Sequence, residues 1–179
     1  GGLADVRSKT IRAIGVPSQR FEEDALRILR ACRFVSQLEF TIEEETFLAM
    51  RGAVSRLKSV SGERIRAELM KIMEARSPSP GLLAMERCGA LDILLPELAA
   101  GRGVTQKGNH IHDVLAHGIA SCEAAPAGKP LVRLAALLHD IGKPAAKQLG
   151  DDGEATFHQH ELIGERMAKA ILDRLKFSN

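Results

Sequence analysis

The chain has 179 residues, of which 45% are hydrophobic and 27% are charged, and its formal net charge is +2. This length allows one large domain or two small ones, and the composition is typical of a globular protein. No apolar run approaches the roughly 20 residues of a membrane span, and no basic-then-apolar segment opens the chain. We therefore predict no membrane contact. A nucleic-acid interface would have to depend on the local placement of basic residues, because the total charge is small.

The cysteines Cys32, Cys88 and Cys122 lie far apart and form no CxxC pair. Their spacing and odd number argue against a disulfide framework and predict reduced core thiols in a cytoplasmic protein. The chain has no Trp and no Tyr, so a single-strand binding surface of stacked aromatic rings is not expected.

The first half of the chain is expected to be helical, because its apolar residues recur mainly at helical spacing. Residues 20–38 are predicted as one continuous helix, whose apolar stripe contains Phe21, Ala25, Ile28, Leu29, Cys32 and Val35. After it, Thr41 and Glu44 resemble a capping box that opens the next helix.

Further helical patterns follow along the whole chain, separated by Pro- and Gly-rich stretches. The segment at residues 96–109 is rich in Gly and polar residues and is the predicted domain boundary. We therefore predict an all-α fold with two helical units, residues 1–100 and residues 101–179. The additional helices are expected at residues 61–75, 80–88, 113–123, 131–139 and 160–175.

A group of metal-binding residue types stands out in the second unit. An apolar helix ends in His139 and Asp140, His117 lies on the preceding predicted helix, and His160 begins the following one. Histidine nitrogen and carboxylate oxygen together suit Mn, Fe, Ni or Zn. The alternative is that these are ordinary core histidines, but a buried Asp still needs a metal or a charge partner. Three further histidines are interpreted as core or loop residues, namely His110, His112 and His158.

The stretches DVLAH (113–117), LAALLHDIGKP (134–144) and FHQHELIG (157–164) resemble the HD phosphohydrolase superfamily. The resemblance implies that His117, His139 and Asp140 are metal ligands and that His160 is a further ligand where a second metal binds. It also implies that Lys143 lies near a substrate phosphate and that the chemistry is metal-dependent phosphoester hydrolysis. The superfamily pattern ends in an Asp on a later helix, which we expect beyond the last residue of this sequence.

A second informative stretch is RFEEDALRILRACRF, residues 20–34. On a continuous helix its charged residues share one polar face, with Asp24 and Arg27 one turn apart. One interpretation is a surface stripe of ion pairs. The other interpretation is a site that selects the incoming nucleotide. The Asp24 carboxylate accepts hydrogen bonds and the Arg27 guanidinium donates them, which matches the polar edges of cytosine and adenine but not those of uracil and guanine. The face consists of Arg20, Glu23, Asp24, Arg27 and Arg30.

Residues 1–40 resemble the bacterial tRNA nucleotidyltransferase/poly(A) polymerase family, the class II CCA-adding enzymes. EDALR (23–27) matches the EDxxR motif of the family's neck, in which Asp and Arg template the incoming CTP or ATP. SGERIRAELMKI (61–72) resembles the next neck motif, which supports that helix. The resemblance implies a nucleotide-binding set made of Glu23, Asp24, Arg27 and Arg30. It covers essentially the whole chain, with residues 1–100 as neck and body and residues 101–179 as an HD domain that we expect to be truncated.

Nucleotidyl transfer needs carboxylates that hold metal ions. In this family a spaced Asp pair on an N-terminal head binds Mg²⁺ for that step, and this chain contains no Asp-x-Asp. We therefore expect the head in a longer parent protein and no nucleotide addition by this chain alone. The expected RNA partner is tRNA or another RNA 3′ end. A local basic excess favours RNA contact, with a solvated charged face as the alternative, at Arg51, Arg56, Lys58, Arg64, Arg66 and Lys71.

Three functions remain open from the sequence. The first is the nucleotide-selecting part of a tRNA nucleotidyltransferase with an attached HD domain. The second is a stand-alone HD phosphohydrolase that acts on nucleotides or phosphoesters. The third is a regulatory binding module with a vestigial metal site.

Overall fold

A computed structural model describes residues 2–105, 113–149 and 155–178. The chain divides into two compact units, Gly1–Leu94 and Leu95–Asn179. Apart from two pairs of two-residue strands, the regular elements of the described residues are helices, which confirms the predicted all-α fold. None of the described helices is long and apolar enough to cross a membrane. His110 and His112 lie outside the described residues.

The division falls earlier in the chain than the boundary predicted after residue 100. The short helix Pro96–Ala99 packs within the second unit, which explains the difference. Glu97 forms a two-pronged ion pair with Arg174, with distances of 2.9 and 2.8 Å. A Cβ placed on Gly118 would lie 3.8 Å from Leu98 Cδ1, so this helix also contacts the helix that carries Gly118.

Helix α3 (Leu26–Leu38) lies at the centre of the first unit, because it packs against both α5 (Gly62–Glu74) and α6 (Ser79–Cys88). Burial of apolar side chains from these three helices supplies the main stabilising term. The helices of this unit are α1 (Gly2–Arg7), α2 (Pro17–Glu23), α3 (Leu26–Leu38), α4 (Glu44–Ala53), a 3-10 helix (Val54–Ser59), α5 (Gly62–Glu74), α6 (Ser79–Cys88) and α7 (Ala90–Leu94). The fully buried residues of α3, α5 and α6 include Ile28, Leu29, Cys32, Leu69, Ile72, Met73, Leu82 and Met85.

The helix predicted as continuous over residues 20–38 is interrupted at Asp24, so that prediction is wrong at this position. α2 ends at Glu23, Asp24 is extended with φ −151° and ψ 101°, and α3 begins at Leu26. The Asp24 side chain explains the break, because its Oδ1 accepts the Leu26 N–H at 3.1 Å. A short carboxylate side chain favours such local capping over a helix interior.

The start of α4 also differs from the prediction. Thr41 and Ile42 form strand β2, which pairs in parallel with strand β1 (Thr10–Ile11), so Thr41 is not the cap. Instead, Glu43 accepts the Thr46 hydroxyl at 2.7 Å and the Thr46 N–H at 2.8 Å. These hydrogen bonds stabilise the charged carboxylate and lower the pKa of Glu43. The helix predicted at residues 80–88 is confirmed, since α6 ends at Cys88 and Gly89 follows it with φ +86°.

The second unit confirms the three helices predicted after residue 112. The cysteines of both units are free and buried, as predicted, and burial raises the pKa of Cys122 to about 11. The elements of this unit are α8 (Pro96–Ala99), α9 (Val114–Ala124), α10 (Pro130–Leu138), α11 (Lys143–Ala146), α12 (His160–Arg174) and the antiparallel strands β3 (Gln148–Leu149) and β4 (Ala155–Thr156).

Candidate functional site

Two helices of the second unit approach closely enough to bring His117 and His139 together. Asp113 caps α9 by accepting the Ala116 N–H at 2.7 Å, which sets His117 in the first turns of that helix. Next to His117, a Cβ on Gly118 would lie only 2.8 Å from the Leu137 carbonyl oxygen. The absence of a side chain at Gly118 therefore lets α9 and α10 pack tightly. The two imidazole rings meet edge to face, with their centroids 5.1 Å apart.

A second close approach brings His160 to the same place. α10 ends at Leu138, and His139 and Asp140 lie in the turn that follows it. In that turn a Cβ on Gly142 would clash with the His160 carbonyl oxygen and would lie 2.6 Å from the Gly164 nitrogen. The turn can therefore sit directly on the first residues of α12 only because residue 142 is Gly.

The carboxylate of Asp140 lies at the centre of this cluster and is only 5% exposed. Its Oδ2 is 3.1 Å from His139 Nε2 and 3.6 Å from His117 Nε2. Its Oδ1 is 3.8 Å from His160 Nε2. The candidate ligand atoms of His117, His139 and Asp140 all lie within 4.8 Å of one another, which is close enough for one cation to reach all three.

Backbone carbonyls determine which nitrogen of two of these rings faces Asp140. His139 Nδ1 lies 2.8 Å from the Ala136 carbonyl oxygen, and His160 Nδ1 lies 2.8 Å from the Phe157 carbonyl oxygen. A carbonyl can only accept a hydrogen bond, so both Nδ1 atoms carry a proton and donate it. In the neutral rings the Nε2 lone pairs then face Asp140, an orientation typical of metal-ligating histidines.

The cluster thus gathers acceptor atoms that repel each other unless a positive charge lies among them. Lys143 supplies one such charge, because its Nζ lies 2.7 Å from Asp140 Oδ2. The donor set of imidazole nitrogens and one carboxylate also fits a divalent transition metal. His139 remains 41% exposed, and a cavity of about 330 Å³ opens beside it, walled by residues of α10 and α12 that include Leu134, Leu138, Glu165 and Leu172.

In the first unit, three residues of the predicted nucleotide-binding set, Glu23, Asp24 and Arg27, are held by ion pairs or by hydrogen bonds with backbone. Glu23 forms ion pairs with both Arg20 and Arg27, and its Oε2 lies 2.9 Å from Arg27 Nη1. The same Arg27 nitrogen donates to the Arg20 carbonyl oxygen at 3.0 Å. Asp24 turns to a different partner, Arg64 of α5, whose Nη2 lies 2.9 Å from Oδ2. The expected single polar face is therefore split by the break at Asp24.

Three of the predicted arginines nevertheless meet at one cavity. Arg20, Arg27 and Arg30 line a space of about 450 Å³ together with Arg12 and an apolar wall that includes Phe21 and Phe34. Arg20 Nε is buried and has no hydrogen-bond partner among the residues that the structure describes. Positive charge beside an apolar wall suits a ligand that carries both a planar ring and an anionic group.

The basic residues proposed for RNA contact lie on exposed positions of α4, the 3-10 helix and α5, except Arg66, which is half-buried. Two of them also hold acidic residues in place, since Arg64 pairs with Asp24 and Lys71 Nζ lies 3.5 Å from Glu68 Oε1. Arg56 additionally donates to the Glu22 carbonyl oxygen at 3.5 Å.

Sequence reasoning did not assign several residues that shape these sites. Arg64 belongs to the predicted basic patch but also pairs with Asp24, and Arg12 lines the cavity although the sequence does not predict it there. Gly118 and Gly142 were not recognised as packing positions. A glycine directly beside a candidate ligand, as Gly118 is beside His117, is a signal that could have indicated close helix packing.

The two halves of the chain match different protein families. Residues 39–101 match the family described as "Probable RNA and SrmB- binding site of polymerase A". Residues 105–179 match the HD domain family. The order of the two matches follows the division of the chain into two units.

Relatives are similar along the whole chain. An A-adding tRNA nucleotidyltransferase of Deinococcus radiodurans is 37% identical over 186 residues, which cover 98% of this chain and 42% of the relative. A multifunctional CCA protein of Legionella pneumophila is 34% identical over 188 residues, which cover 99% of this chain and 44% of the relative. The chain therefore spans less than half the length of these curated relatives.

Solved structures share the fold. A CCA-adding enzyme in complex with ATP aligns with a TM-score of 0.61 at 21% identity, over 100% of this chain and 37% of that chain. The Thermotoga maritima CCA-adding enzyme complexed with tRNA aligns with a TM-score of 0.60 at 23% identity, over 100% of this chain and 38% of that one. The sequence similarity along the whole chain and the order of the two family matches show that the chain belongs to the bacterial tRNA nucleotidyltransferase/poly(A) polymerase family.

Proposed function

We propose that this chain is the nucleotide-selecting and RNA-contacting part of a tRNA nucleotidyltransferase, followed by a metal-dependent HD phosphohydrolase domain. The observation that carries the proposal is similarity to tRNA nucleotidyltransferases over 98% of the chain. The chain contains no Asp-x-Asp, so the Mg²⁺-binding carboxylates for nucleotidyl transfer belong to another part of the parent protein. Such an enzyme would act on tRNA in the cytoplasm.

The nucleotide is proposed to bind at the α2–α3 junction, with Asp24 and Arg27 reading the base edge. Asp24 offers acceptor oxygens and Arg27 offers a donor fork, the combination that cytosine and adenine can satisfy. Uracil and guanine would leave buried polar groups unpaired, which is the physical source of discrimination. Glu23 orients Arg27 through their ion pair, and Arg30 adds positive charge beside the cavity.

The RNA substrate is proposed to contact the basic residues of α4, the 3-10 helix and α5. Their ammonium and guanidinium groups are mostly exposed, as phosphate contact requires. The match of residues 39–101 to a probable RNA-binding family supports this assignment. RNA affinity that depends on these residues should fall as salt concentration rises, because phosphate contact releases counterions.

The HD unit is proposed to hydrolyse a phosphoester with a divalent transition metal such as Mn, Ni, Fe or Zn. His117, His139 and Asp140 would hold the metal, and His160 would join them as a further ligand. When bound, the metal supplies Lewis-acid polarisation of the phosphoester and activation of water. Lys143 is proposed to meet a phosphate, and the cavity beside His139 would give a substrate access to that ligand. A cyclic nucleotide phosphate is a suitable first substrate for an assay.

Addition of nucleotides by the parent enzyme tests the first part of this proposal. The assay measures incorporation of C and A into tRNA that lacks its 3′ end, in the wild type and in Arg27→Ala. We expect the variant to lose discrimination of CTP and ATP from UTP and GTP, while Arg7→Ala, an exposed arginine at the end of α1, retains it. Faithful addition by Arg27→Ala would refute the reading role, and a parent that adds no nucleotide to tRNA would refute the proposed function.

The second candidate, a stand-alone HD phosphohydrolase, is favoured by a single observation, the convergence of His117, His139 and Asp140. It predicts phosphoester hydrolysis by this chain alone and no nucleotide addition by any protein that contains it. The match of residues 39–101 to a probable RNA-binding family favours the first candidate, because a first unit that served only as a scaffold would not need an RNA-binding segment.

A further inference from the structure

Lys143 contacts the same carboxylate oxygen that the candidate metal ligands share. Its Nζ lies 2.7 Å from Asp140 Oδ2, and its side chain is only 16% exposed. His139 Nε2 and His117 Nε2 lie 3.1 and 3.6 Å from that same oxygen. The ammonium group therefore lies at the oxygen atom that a cation held by these ligands would bind.

The position of Lys143 follows from the local backbone. The turn after Asp140 is pressed against α12 at Gly142, and Lys143 begins α11 directly after it. The Lys143 N–H donates to the Asp140 carbonyl oxygen at 3.0 Å, which closes the turn and brings the two side chains to the same side. The contact between Lys143 and Asp140 thus follows from the turn that joins Asp140 to α11.

The Lys143 ammonium group and a bound divalent cation would compete for the same oxygen atom, Asp140 Oδ2. In the absence of metal, the buried Asp140 carboxylate needs a positive partner, and Lys143 provides it. Binding of a dication to Oδ2 would displace the ammonium from that oxygen and would also bring two positive charges close together. Both effects weaken metal binding relative to a site without this lysine.

We propose that Lys143 is an internal counter-ion that occupies Asp140 in the metal-free chain and so lowers the affinity of the HD site for its metal. This inference rests on the proposed metal site of the HD unit. Metal loading releases the ammonium from Asp140 and makes it available to an anionic phosphate group. The lysine therefore links loading of the site to recognition of the substrate.

The test measures binding of Mn²⁺ alone to the full chain by isothermal titration calorimetry. The variants are Lys143→Met and Lys143→Gln, with Lys147→Met as the control, because Lys147 is an exposed lysine at the end of α11. Circular dichroism melting checks that each variant is folded. We expect the two Lys143 variants to bind Mn²⁺ about tenfold more tightly than the wild type, whereas Lys147→Met changes affinity by less than about twofold.

The outcomes separate this inference from the metal site itself. Mn²⁺ binding by the Lys143 variants that is about tenfold tighter than in the wild type supports the inference. Mn²⁺ binding by the Lys143 variants that is no tighter than in Lys147→Met overturns the inference and leaves the metal site standing. Failure of both Lys143 variants to fold also overturns it, because the lysine would then be required for folding and could not act as a replaceable counter-ion. If the wild type, the Lys143 variants and the control all fail to bind Mn²⁺, the proposed metal site falls and the inference falls with it.

Discussion

The two candidate sites of this chain differ in how their charges are balanced. At the α2–α3 junction, Glu23 pairs with Arg20 and Arg27, and Asp24 pairs with Arg64, so each carboxylate already has a guanidinium partner. In the HD unit, Asp140 faces the Nε2 atoms of His117, His139 and His160, and Lys143 lies nearest to it among the described cationic residues, at 2.7 Å.

This difference indicates two kinds of function. Side chains that are held by ion pairs, as at the α2–α3 junction, are pre-positioned and can form hydrogen bonds with the polar edge of a base without a metal ion. A cluster of hydrogen-bond acceptors around one buried carboxylate, as at Asp140, is stable only when a cation lies among them. The first site is therefore suited to selection, and the second to metal-assisted chemistry.

The largest effect is expected from breaking the buried ion pair that supports the first site. Arg33 Nη1 donates to Glu68 Oε2 at 2.8 Å, and the side chains are 9% and 7% exposed. Glu68→Ala should lower the free energy of unfolding by about 3–5 kcal/mol, because it leaves a buried guanidinium unpaired. Urea titration followed by circular dichroism measures the change.

A double variant sharpens this prediction. Arg33→Met combined with Glu68→Leu removes both charges and fills similar volume, so it should recover much of the lost stability. A double variant as unstable as Glu68→Ala would mean that packing, and not charge compensation, explains the loss.

The next effect concerns the close approach that assembles the second site. Gly142→Ala places a methyl group against the His160 carbonyl oxygen and the Gly164 nitrogen, both backbone atoms. We expect a loss of about 1–3 kcal/mol in unfolding free energy together with weakened metal binding. Gly52→Ala is the matched control, because a Cβ there meets nothing within 4 Å, and it should stabilise α4 by up to about 1 kcal/mol. Wild-type stability in Gly142→Ala would contradict the packing role.

The smallest effect is expected at Asp24. Asp24→Asn retains an oxygen that can accept the Leu26 N–H and loses the charge that attracts Arg64, which is 52% exposed. The unfolding free energy should therefore fall by only about 0.2–1 kcal/mol. Asp24→Ala removes the cap as well and should lose roughly 1 kcal/mol more. Equal stability of the two variants in urea titration would show that the cap contributes nothing.

Helical periodicity was sufficient to predict most of the fold. The α5, α6, α9, α10 and α12 helices follow from the spacing of apolar residues and from signals such as Gly89, because these are local effects of the chain. The break at Asp24 was missed because an Asp in a strong helical pattern can face solvent or cap a new helix. In the structure Asp24 caps α3 and also pairs with Arg64, which lies 40 positions away in sequence, and the helical pattern shows neither contact.

The candidate sites were predictable only in part, for a similar reason. His117, His139, Asp140 and His160 carry recognisable chemistry, and the structure brings them together, while their roles as ligands remain predictions. The contact between Lys143 and Asp140 and the tight approaches at Gly118 and Gly142 depend on three-dimensional packing. Nothing in the spacing of those residues alone specifies that packing.

Elemental analysis of the purified chain tests the central claim about the second site most directly. The measurement compares the wild type with His139→Ala and Asp140→Ala, and uses His158→Ala as control, because His158 is exposed and outside the cluster of ligand atoms. We expect about one transition-metal ion per chain in the wild type and in His158→Ala, and loss of the metal in the other two variants. A wild type without metal, or His139→Ala and Asp140→Ala variants that retain it fully, would show that these residues do not form a metal site.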